Sequence, residues 1–453
     1  MMLSFNRRVA VSGGCDSMAL CVLFQHVKEK ICVFTVNHEL RKESKKEADE
    51  VHRIVSNMGF YHKILSVKWP ENQIPTKSIE SKARDLRYTL LTRACLENDI
   101  RALFLGHHSD DQAETVFMRF IERSGPDGLA GMQKIAQNPM TGRIMHAENV
   151  FLCRPFLYIP KMILKSICKN HNVPWFEDPT NSLVSLSKRN AIRKLFQNPE
   201  QLPDVLKPLN MLNIAQVMNK KRIKVIENVK RVFSKAHITT GSLEIVCGKN
   251  ILEEKMRTLL KLMTHLISMV SPLKKQRITS VWRITVDLFT KNFLKTRQYT
   301  VGGVLIYAEW HFETLFIRLA RQPYAKSVKE NPTVLVQSTS FSNPQDTWVL
   351  WDGRWWIRIL SKNDIIKQFR VRHLAENDIK PLFRVINSVD ICYRKTMLRS
   401  LKAIKGNTKF TIPLVEFEND IIGLPTLGII FDHNVTIEVK FKVDILFQFN
   451  YIT

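Results

Sequence analysis

Six residues, Ser12-Gly13-Gly14-Cys15-Asp16-Ser17, constrain this chain more than any others. They lie between an apolar stretch, Val9-Ala10-Val11, and a run of helix formers from Met18 to Phe24. That order specifies a strand, a tight turn and a helix start. Two glycines let the backbone bend sharply and approach a ligand. The free N–H groups and positive dipole of the helix N-terminus, backed by the Ser12 and Ser17 hydroxyls, favour an anion. Phosphate is the simplest such anion. The stretch lacks the Lys of G-x-x-x-x-G-K-[ST] and the third glycine of G-x-G-x-x-G, so it is neither a Walker loop nor a dinucleotide fingerprint. Asp16 would repel a phosphate unless a hard cation bridges the two, which makes it a candidate for holding Mg²⁺ with pyrophosphate. The plain alternative is an ordinary Ser/Gly turn before a helix.

From residue 8 to about 108, short β-branched runs alternate with longer amphipathic ones, the pattern of a parallel α/β sheet with helices on both faces. Strands are expected at Val9–Ser12, Ile31–Asn37, Tyr61–Val67 and Ala102–Gly106. One helix stripe runs through Ala48, Val51, Ile54, Val55 and Met58, another through Ile79, Ala83, Leu86, Leu90 and Ala94. The glycine loop then falls at the carboxyl end of the first strand, where open α/β sheets bind ligands.

Four further constellations follow comparable strand ends. Val36-Asn37-His38-Glu39-Leu40-Arg41 places a histidine just after a strand, either satisfied by hydrogen bonds or chemically active. In Ser78 to Tyr88, Arg84 and Arg87 share a helix face: exposed, they pair with solvent or Glu80; turned to the strand ends, they grip phosphates. Gly106-His107-His108-Ser109-Asp110-Asp111-Gln112-Ala113-Glu114-Thr115 is the densest polar cluster. Zinc is the weaker reading there, because no H-x-x-x-H-like spacing is present. Asp111 and Glu114, three apart at a helix start, can clasp a small cation such as an ammonium group or simply cap the helix. Arg123 to Met132 is a glycine-punctuated turn, a mobile flap or merely a connection.

The 453 residues suffice for two or three domains, and Lys plus Arg number 68 against 42 acids, a net +26, which favours a polyanionic partner. The excess is local. Residues 186–235 carry 12 Lys/Arg and three acids. Eight cysteines contain no C-x-x-C pair and read as reduced, buried thiols of an intracellular protein. No apolar run is long enough to span a bilayer, and the first eight residues are too short for a secretory signal.

Ser-Gly-Gly-x-Asp-Ser resembles the loop of the N-type ATP pyrophosphatases, which adenylate a carbonyl-type oxygen and release pyrophosphate. Taken in order, that loop, Val36–Arg41, Glu80–Tyr88, Gly106–Thr115 and Gly128–Met132 are similar to segments of the tRNA(Ile)-lysidine synthetases. Arg154-Pro155-Phe156-Leu157 resembles the family's Arg-Pro-Leu-Leu. Glu177-Asp178-Pro179-Thr180-Asn181 with Arg189-Asn190-Ala191-Ile192-Arg193 resembles its Glu-Asp-Pro-Ser-Asn and Arg-Asn-x-Ile-Arg. The resemblance covers residues 9–195 and thins beyond 196. It implies an α/β fold: a PP-loop ATP pyrophosphatase domain over 1–196, a helical, basic tRNA-binding domain over 197–295 and a β-rich domain over 296–453, also expected to touch tRNA. In the last, Val301–Ile306 and Glu313–Ile317 should pair as strands. The tryptophans of Trp348–Trp356 could stack on unpaired bases, but a core corner is preferred because their spacing fits strand burial.

The implied reaction uses ATP to adenylate the C2 oxygen of the wobble cytidine of a CAU-anticodon tRNA(Ile), after which the ε-amine of free L-lysine displaces AMP to leave lysidine. Ser12, Gly13, Gly14, Cys15, Asp16 and Ser17 would hold ATP, with Mg²⁺ at Asp16. Arg87 and His107 would position the α-phosphate or the base, Asp111 and Glu114 would bind lysine, and Arg193 or Arg189 would neutralise the adenylate. Either carboxylate could deprotonate the amine. Lys188, Arg189, Lys220, Lys221 and Arg222 would contact tRNA. Alternatives are a thiolase-type tRNA-modifying enzyme, disfavoured without paired cysteines, and an inactive tRNA-binding protein, disfavoured because loop and acids are intact. A GMP or NAD synthetase would not need the basic patch. No stable protein partner is expected, and a homodimer stays open. The basic composition suits the mitochondrial matrix, with a bacterial-type cytoplasm as alternative.

Overall fold

A computed structural model describes residues 7–27, 31–40, 43–69, 78–176, 188–233, 236–239, 242–272, 276–290, 296–323, 333–340, 347–363, 365–388, 391–404 and 406–442. Arg41 and Glu177–Asn181, quoted above for the resemblance, lie outside them. The chain forms two compact units, Met1–Ile223 and Lys224–Thr453.

The first unit runs β1 (Arg7–Ala10), α1 (Cys15–Gln25), β2 (Cys32–Asn37), α2 (Ser44–Asn57), β3 (Tyr61–Ser66), α3 (Ile79–Glu97), β4 (Ala102–Phe104), α4 (Ser109–Ile121), α5 (Pro126–Leu129), β5 (Ile135–Gln137), β6 (Phe151–Cys153), α6 (Lys161–Asn170), α7 (Lys188–Gln197) and the first part of α8 (Pro208–Phe233). Its sheet has the order β3-β2-β1-β4-β6-β5. All neighbours are parallel except β5, which runs antiparallel to β6. Successive side chains of a strand point to opposite faces. Val33 accordingly enters a core with α1, α2 and α6, while Cys32 and Phe34 enter another with Tyr88, Leu91 and Cys95 of α3. Because the order reverses at β1, the turns leaving β1 and β4 lie side by side at the carboxyl edge.

The expected α2 stripe is the buried one, with Met58 partly buried. On α3 the expectation needs correction. Tyr88, Leu91, Thr92 and Cys95 are buried beside Ala83 and Ala94, whereas Leu86 and Leu90 are half-buried against Val67 and Trp69 and Ile79 is exposed. This helix faces two apolar clusters at once, so a single stripe underestimates its buried face. The first unit also continues past residue 196: Ala113, Val116 and Phe117 of α4, Ile192 of α7, and Met211 and Ala215 of α8 share one core.

The second unit contains β7 (Ala236–Thr239), β8 (Ser242–Gly248), α9 (Met256–Val270), α10 (Ile278–Thr290), β9 (Arg297–Val301), β10 (Val304–His311) and β11 (Thr314–Arg321). Strands β7 to β11 make one antiparallel sheet, order β7-β8-β11-β10-β9. The expected pairing of Val301–Ile306 with Glu313–Ile317 needs correction: Val304–Ile306 and Thr314–Ile317 lie in neighbouring antiparallel strands, but the former pair with Leu319–Arg321 and the latter with Ala308–His311. Val301 ends β9 and pairs with Val304 across the turn made by Gly302 and Gly303 at φ +57° and +73°. Residues 197–295 are thus not purely helical, and a division near 295 would cut one core shared by α9, α10 and these strands.

The rest comprises β12 (Val334–Gln337), β13 (Thr339–Ser340), β14 (Val349–Trp351), β15 (Trp355–Ser361), β16 (Gln368–His373), α11 (Ile379–Ser388), α12 (Ile391–Ala403), β17 (Pro413–Phe417), β18 (Asp420–Leu424), β19 (Ile429–Ile430) and β20 (Val435–Phe441). Trp351, Trp355 and Trp356 are buried, as the core reading of the tryptophan run anticipated, while Trp348 is half-buried with Arg358 and Lys440 over its ring. Asp352 in the β14–β15 turn is buried with Arg321 (3.2 Å), Arg354 (2.7 Å) and His373 (3.5 Å). Burial pushes its carboxyl up, yet its hydrogen bond to His373 and the charges of Arg354, His373 and Arg321 hold it down at about 2.

Candidate active site

The β1–α1 loop closes on itself. The Ser12 N–H donates to Ser17 Oγ (3.1 Å), and the Ser17 hydroxyl donates to the Gly14 carbonyl (2.8 Å). Gly13 sits at φ +79°, and a Cβ there would lie 2.6 Å from Val51 Cγ2 and 3.3 Å from the Phe176 ring. Only glycine fits both the left-handed conformation and the space. The Phe176 N–H donates to the Gly13 carbonyl at 2.9 Å, and the Cys168 thiol to the Cys15 carbonyl at 3.4 Å. Burial and the negative charge of Asp16 push the Cys15 thiol up, and burial pushes Cys168 up to about 12, so both are inert packing groups. None of the described cysteines is in a disulfide.

The β4–α4 turn presses against this loop. A Cβ on Gly106 would stand 2.9 Å from the Asp16 backbone carbonyl and 3.0 Å from Ser17 N. His108, the residue capping α4, is buried, and its Nε2 lies 3.5 Å from Asp16 Oδ2 and 3.4 Å from Asp111 Oδ2. Burial pulls this imidazole down, but its hydrogen bond to Asp16 and the charges of Asp111, Asp16 and Asp110 leave it raised overall. Asp111 also accepts the His108 backbone N–H (3.3 Å), so it does cap the helix. Lys161, at the start of α6, approaches Asp16 Oδ2 at 3.9 Å. Asp16 Oδ1 is buried without a hydrogen-bond partner among the described residues. An orphaned carboxylate oxygen beside the glycine loop is a donor of the kind a hard cation takes, so Asp16 is the residue that would hold Mg²⁺.

Asp111 and Glu114 meet α7. Arg189 Nη2 donates to Asp111 Oδ1 (2.6 Å) and its Nε to Glu114 Oε2 (2.5 Å), while Arg193 Nε donates to Glu114 Oε1 (2.8 Å). Residues three or four apart share a helix face, so Asp111, Glu114 and Phe117 on α4 face Arg189, Arg193 and Phe196 on α7, with the Phe117 and Phe196 rings edge to face at 5.3 Å. Burial pushes the Asp111 carboxyl up, but the charges of His108, Arg189 and His107, with the His108 backbone hydrogen bond, hold it below the usual range.

A cationic group lies beside them. Arg84 and Arg87 lie over the buried Tyr88 ring, at 5.2 and 5.3 Å. Burial, outweighing the charge of Asp111, pulls His107 far down, and Arg154, Arg87 and Arg189 add to it, so it is a neutral imidazole at physiological pH. His38 is lowered by burial and by Arg87. Positive charge that disfavours imidazolium at two histidines would welcome an anion. Arg154 is buried, donating to the Gln133 carbonyl at 2.9 Å. The Arg123–Met132 turn is a pinned connection at its end: the Gln112 amide accepts the Met132 N–H (2.8 Å) and donates to its carbonyl (2.9 Å).

The sequence-expected residues Asp16, Arg87, His107, Asp111, Glu114 and Arg193 therefore converge on one edge of one sheet. Sequence reasoning missed His108 and Lys161 as neighbours of Asp16; the former stands inside the His-His-x-Asp-Asp cluster, the latter carries no local signal. Of the tRNA candidates, Lys188, Lys220 and Lys221 are exposed, whereas Arg189 is turned to the acids. Arg222 is corrected: it is buried, donating to Asn219 Oδ1 at 2.6 Å. It lies on the helical stripe of Met211 and Ala215, at multiples of 3.6 residues.

The family described as PP-loop domain matches residues 5–199. The probable tRNA(Ile)-lysidine synthase of Schizosaccharomyces pombe is 29% identical, over 96% of this chain and 95% of that one. The tRNA(Ile)-lysidine synthase of Orientia tsutsugamushi is 30% identical over 67% of this chain and 69% of its own, and that of Rickettsia felis 26% over 98% and 94%.

Proposed function

Because the chain belongs to the tRNA(Ile)-lysidine synthase family, and so is a PP-loop enzyme that uses ATP to modify tRNA, we propose that it joins lysine to C2 of the wobble cytidine of CAU-anticodon tRNA(Ile). The observation that carries this reading is the contact of two unlike sites, an anion loop at Ser12–Ser17 and a buried carboxylate pair at Asp111 and Glu114, with His108 within 3.5 Å of Asp16 and of Asp111.

Cytosine O2 is a poor leaving group, and adenylation makes its displacement feasible. The β1–α1 loop holds the β- and γ-phosphates through its N–H groups and serine hydroxyls, and Lys161 adds positive charge. Asp16 would hold Mg²⁺, which when bound offsets the charge of the departing pyrophosphate. Arg87, with neutral His107 available as a donor or acceptor, orients the α-phosphate or the base. Asp111 and Glu114 take the ammonium groups of lysine, and either can accept the proton that the ε-amine must lose. Lys188, Lys220 and Lys221, with the exposed Lys224, neutralise tRNA phosphates. We place the protein in the mitochondrial matrix, on its basic composition, and propose that it acts without a stable protein partner.

Asp16→Ala should abolish tRNA-dependent pyrophosphate release while tRNA is still retained. Glu114→Gln should still yield pyrophosphate and an adenylated tRNA, with lysidine forming slowly or only at high lysine. Release of ADP and phosphate by the unaltered protein would overturn the first half of this reading. Loss of adenylation in Glu114→Gln with unchanged lysine dependence would overturn the second.

A further inference from the structure

In this conformation every carboxylate oxygen of Asp111 and Glu114 already accepts a hydrogen bond. Glu114 Oε2 and Oε1 receive Arg189 Nε and Arg193 Nε at 2.5 and 2.8 Å. Asp111 Oδ1 receives Arg189 Nη2 at 2.6 Å, with Arg193 Nη2 3.7 Å away. Asp111 Oδ2 accepts the His108 backbone N–H at 3.3 Å. The acids lie underneath: the Glu114 side chain is 5% exposed and that of Asp111 12%, against 27% for Arg189 and 32% for Arg193. Two acids and two guanidiniums form a neutral set, and forcing a further cation into it leaves uncompensated buried charge. A guanidinium also binds phosphate oxygens bidentately, so an arriving polyanion competes for it on equal chemical terms.

Resting on the reading that Asp111 and Glu114 take lysine, we infer that Arg189 and Arg193 set the order of substrate use. In the free protein they occupy the lysine carboxylates, and the phosphates of tRNA and nucleotide draw them away to open the site. Lysine affinity is thus conditional on the other two substrates. Arg189, which spans both acids, is the principal stopper. The arrangement keeps free lysine from filling the site before the acceptor is activated.

Equilibrium dialysis of radiolabelled L-lysine against the full-length protein tests this, with the protein alone or saturated with a CAU-anticodon tRNA transcript and an α,β-methylene ATP analogue. The unaltered protein should bind lysine about tenfold more tightly, or better, in the saturated state, the worth of one charge-assisted contact. Equal affinity in the two states overturns the inference without any variant. Arg189→Gln should bind lysine as tightly alone as the unaltered protein does when saturated. Arg189→Lys, which keeps the charge but cannot span both acids, provides a folded intermediate, and thermal melting verifies both variants. If folded Arg189→Gln and Arg189→Lys bind lysine no better than the unaltered protein alone, the pair is a structural tie and the inference fails. Should lysidine form while these affinities stay flat, only this inference falls; should the unaltered protein form no lysidine with all substrates present, the reading beneath it falls too.

Discussion

Replacing Gly106 by alanine should separate the adenylation site from its support while sparing the fold. A Cβ there would meet the Asp16 carbonyl carbon and oxygen at 2.9 Å and Ser17 N at 3.0 Å, where ordinary contact begins near 3.4 Å. All three neighbours are backbone atoms, so no rotamer change relieves the overlap, and the β1–α1 loop or the end of β4 must move by about 0.5 Å. Overpacking of this size costs about 1–3 kcal/mol, which lowers the melting temperature of a unit this large by several degrees. The catalytic effect should be greater. Misplacing a catalytic group by about 1 Å costs up to about 10²-fold, and the displaced atoms belong to the residues proposed to hold pyrophosphate. The assay is tRNA-dependent pyrophosphate release, read beside thermal melting. A variant that melts a few degrees low yet releases pyrophosphate at the unaltered rate would refute the claim that the two turns form one site.

Reversing the charge of Lys220, Lys221 and Lys224 together should weaken tRNA binding and reduce the log–log salt slope by about 0.7–0.9 per lost phosphate contact; an unchanged slope would mean that these lysines only solvate α8. His62, buried with its Nε2 2.8 Å from Thr35 Oγ1 and its Nδ1 2.8 Å from His52 Nδ1, is held down at about 4 by burial and by His52. Its folded value lies below the ordinary 6.5, so the unfolded chain binds the extra proton. Its contribution is intact above pH 6.5 and is lost toward pH 4, by up to about 1.4 kcal/mol per pH unit. Urea unfolding at pH 7 and 5 should therefore show a smaller acid loss in His62→Asn than in the unaltered protein, and equal losses would refute the assignment. Asp352→Ala leaves Arg321 and Arg354 buried without their carboxylate and should cost about 3–5 kcal/mol, measured as a lower denaturation midpoint; a change under about 1 kcal/mol would mean that other partners satisfy both arginines.

The parts of this protein legible in its sequence are those fixed by short-range physics. The glycine loop, the strands flanking it and the α2 stripe follow from periodicity and turn chemistry within a few residues. Tyr88 escaped because α3 packs on two clusters, which no single helical stripe describes. Helix α1 is buried from Cys15 to Phe24 apart from Asp16 and Leu23, so its apolar run marks burial rather than a face. The pairing of Arg189 and Arg193 with acids more than 70 residues earlier is a tertiary event with no local signal. The inward turn of Arg222 could have been read from its place on the Met211–Ala215 stripe, but a count of basic residues hides it. Strand β8 went unseen because it is held by β11, some 70 residues downstream, and among the described residues β7 has only β8 to pair with.

The most direct test is mass spectrometry of nucleosides from CAU-anticodon tRNA(Ile) incubated with the pure protein, ATP and lysine. The account predicts a cytidine derivative heavier by one condensed lysine at the wobble position, formed only when ATP and lysine are both present and accompanied by AMP and pyrophosphate. Unmodified cytidine, a sulfur-bearing nucleoside, or ADP as the nucleotide product would contradict it.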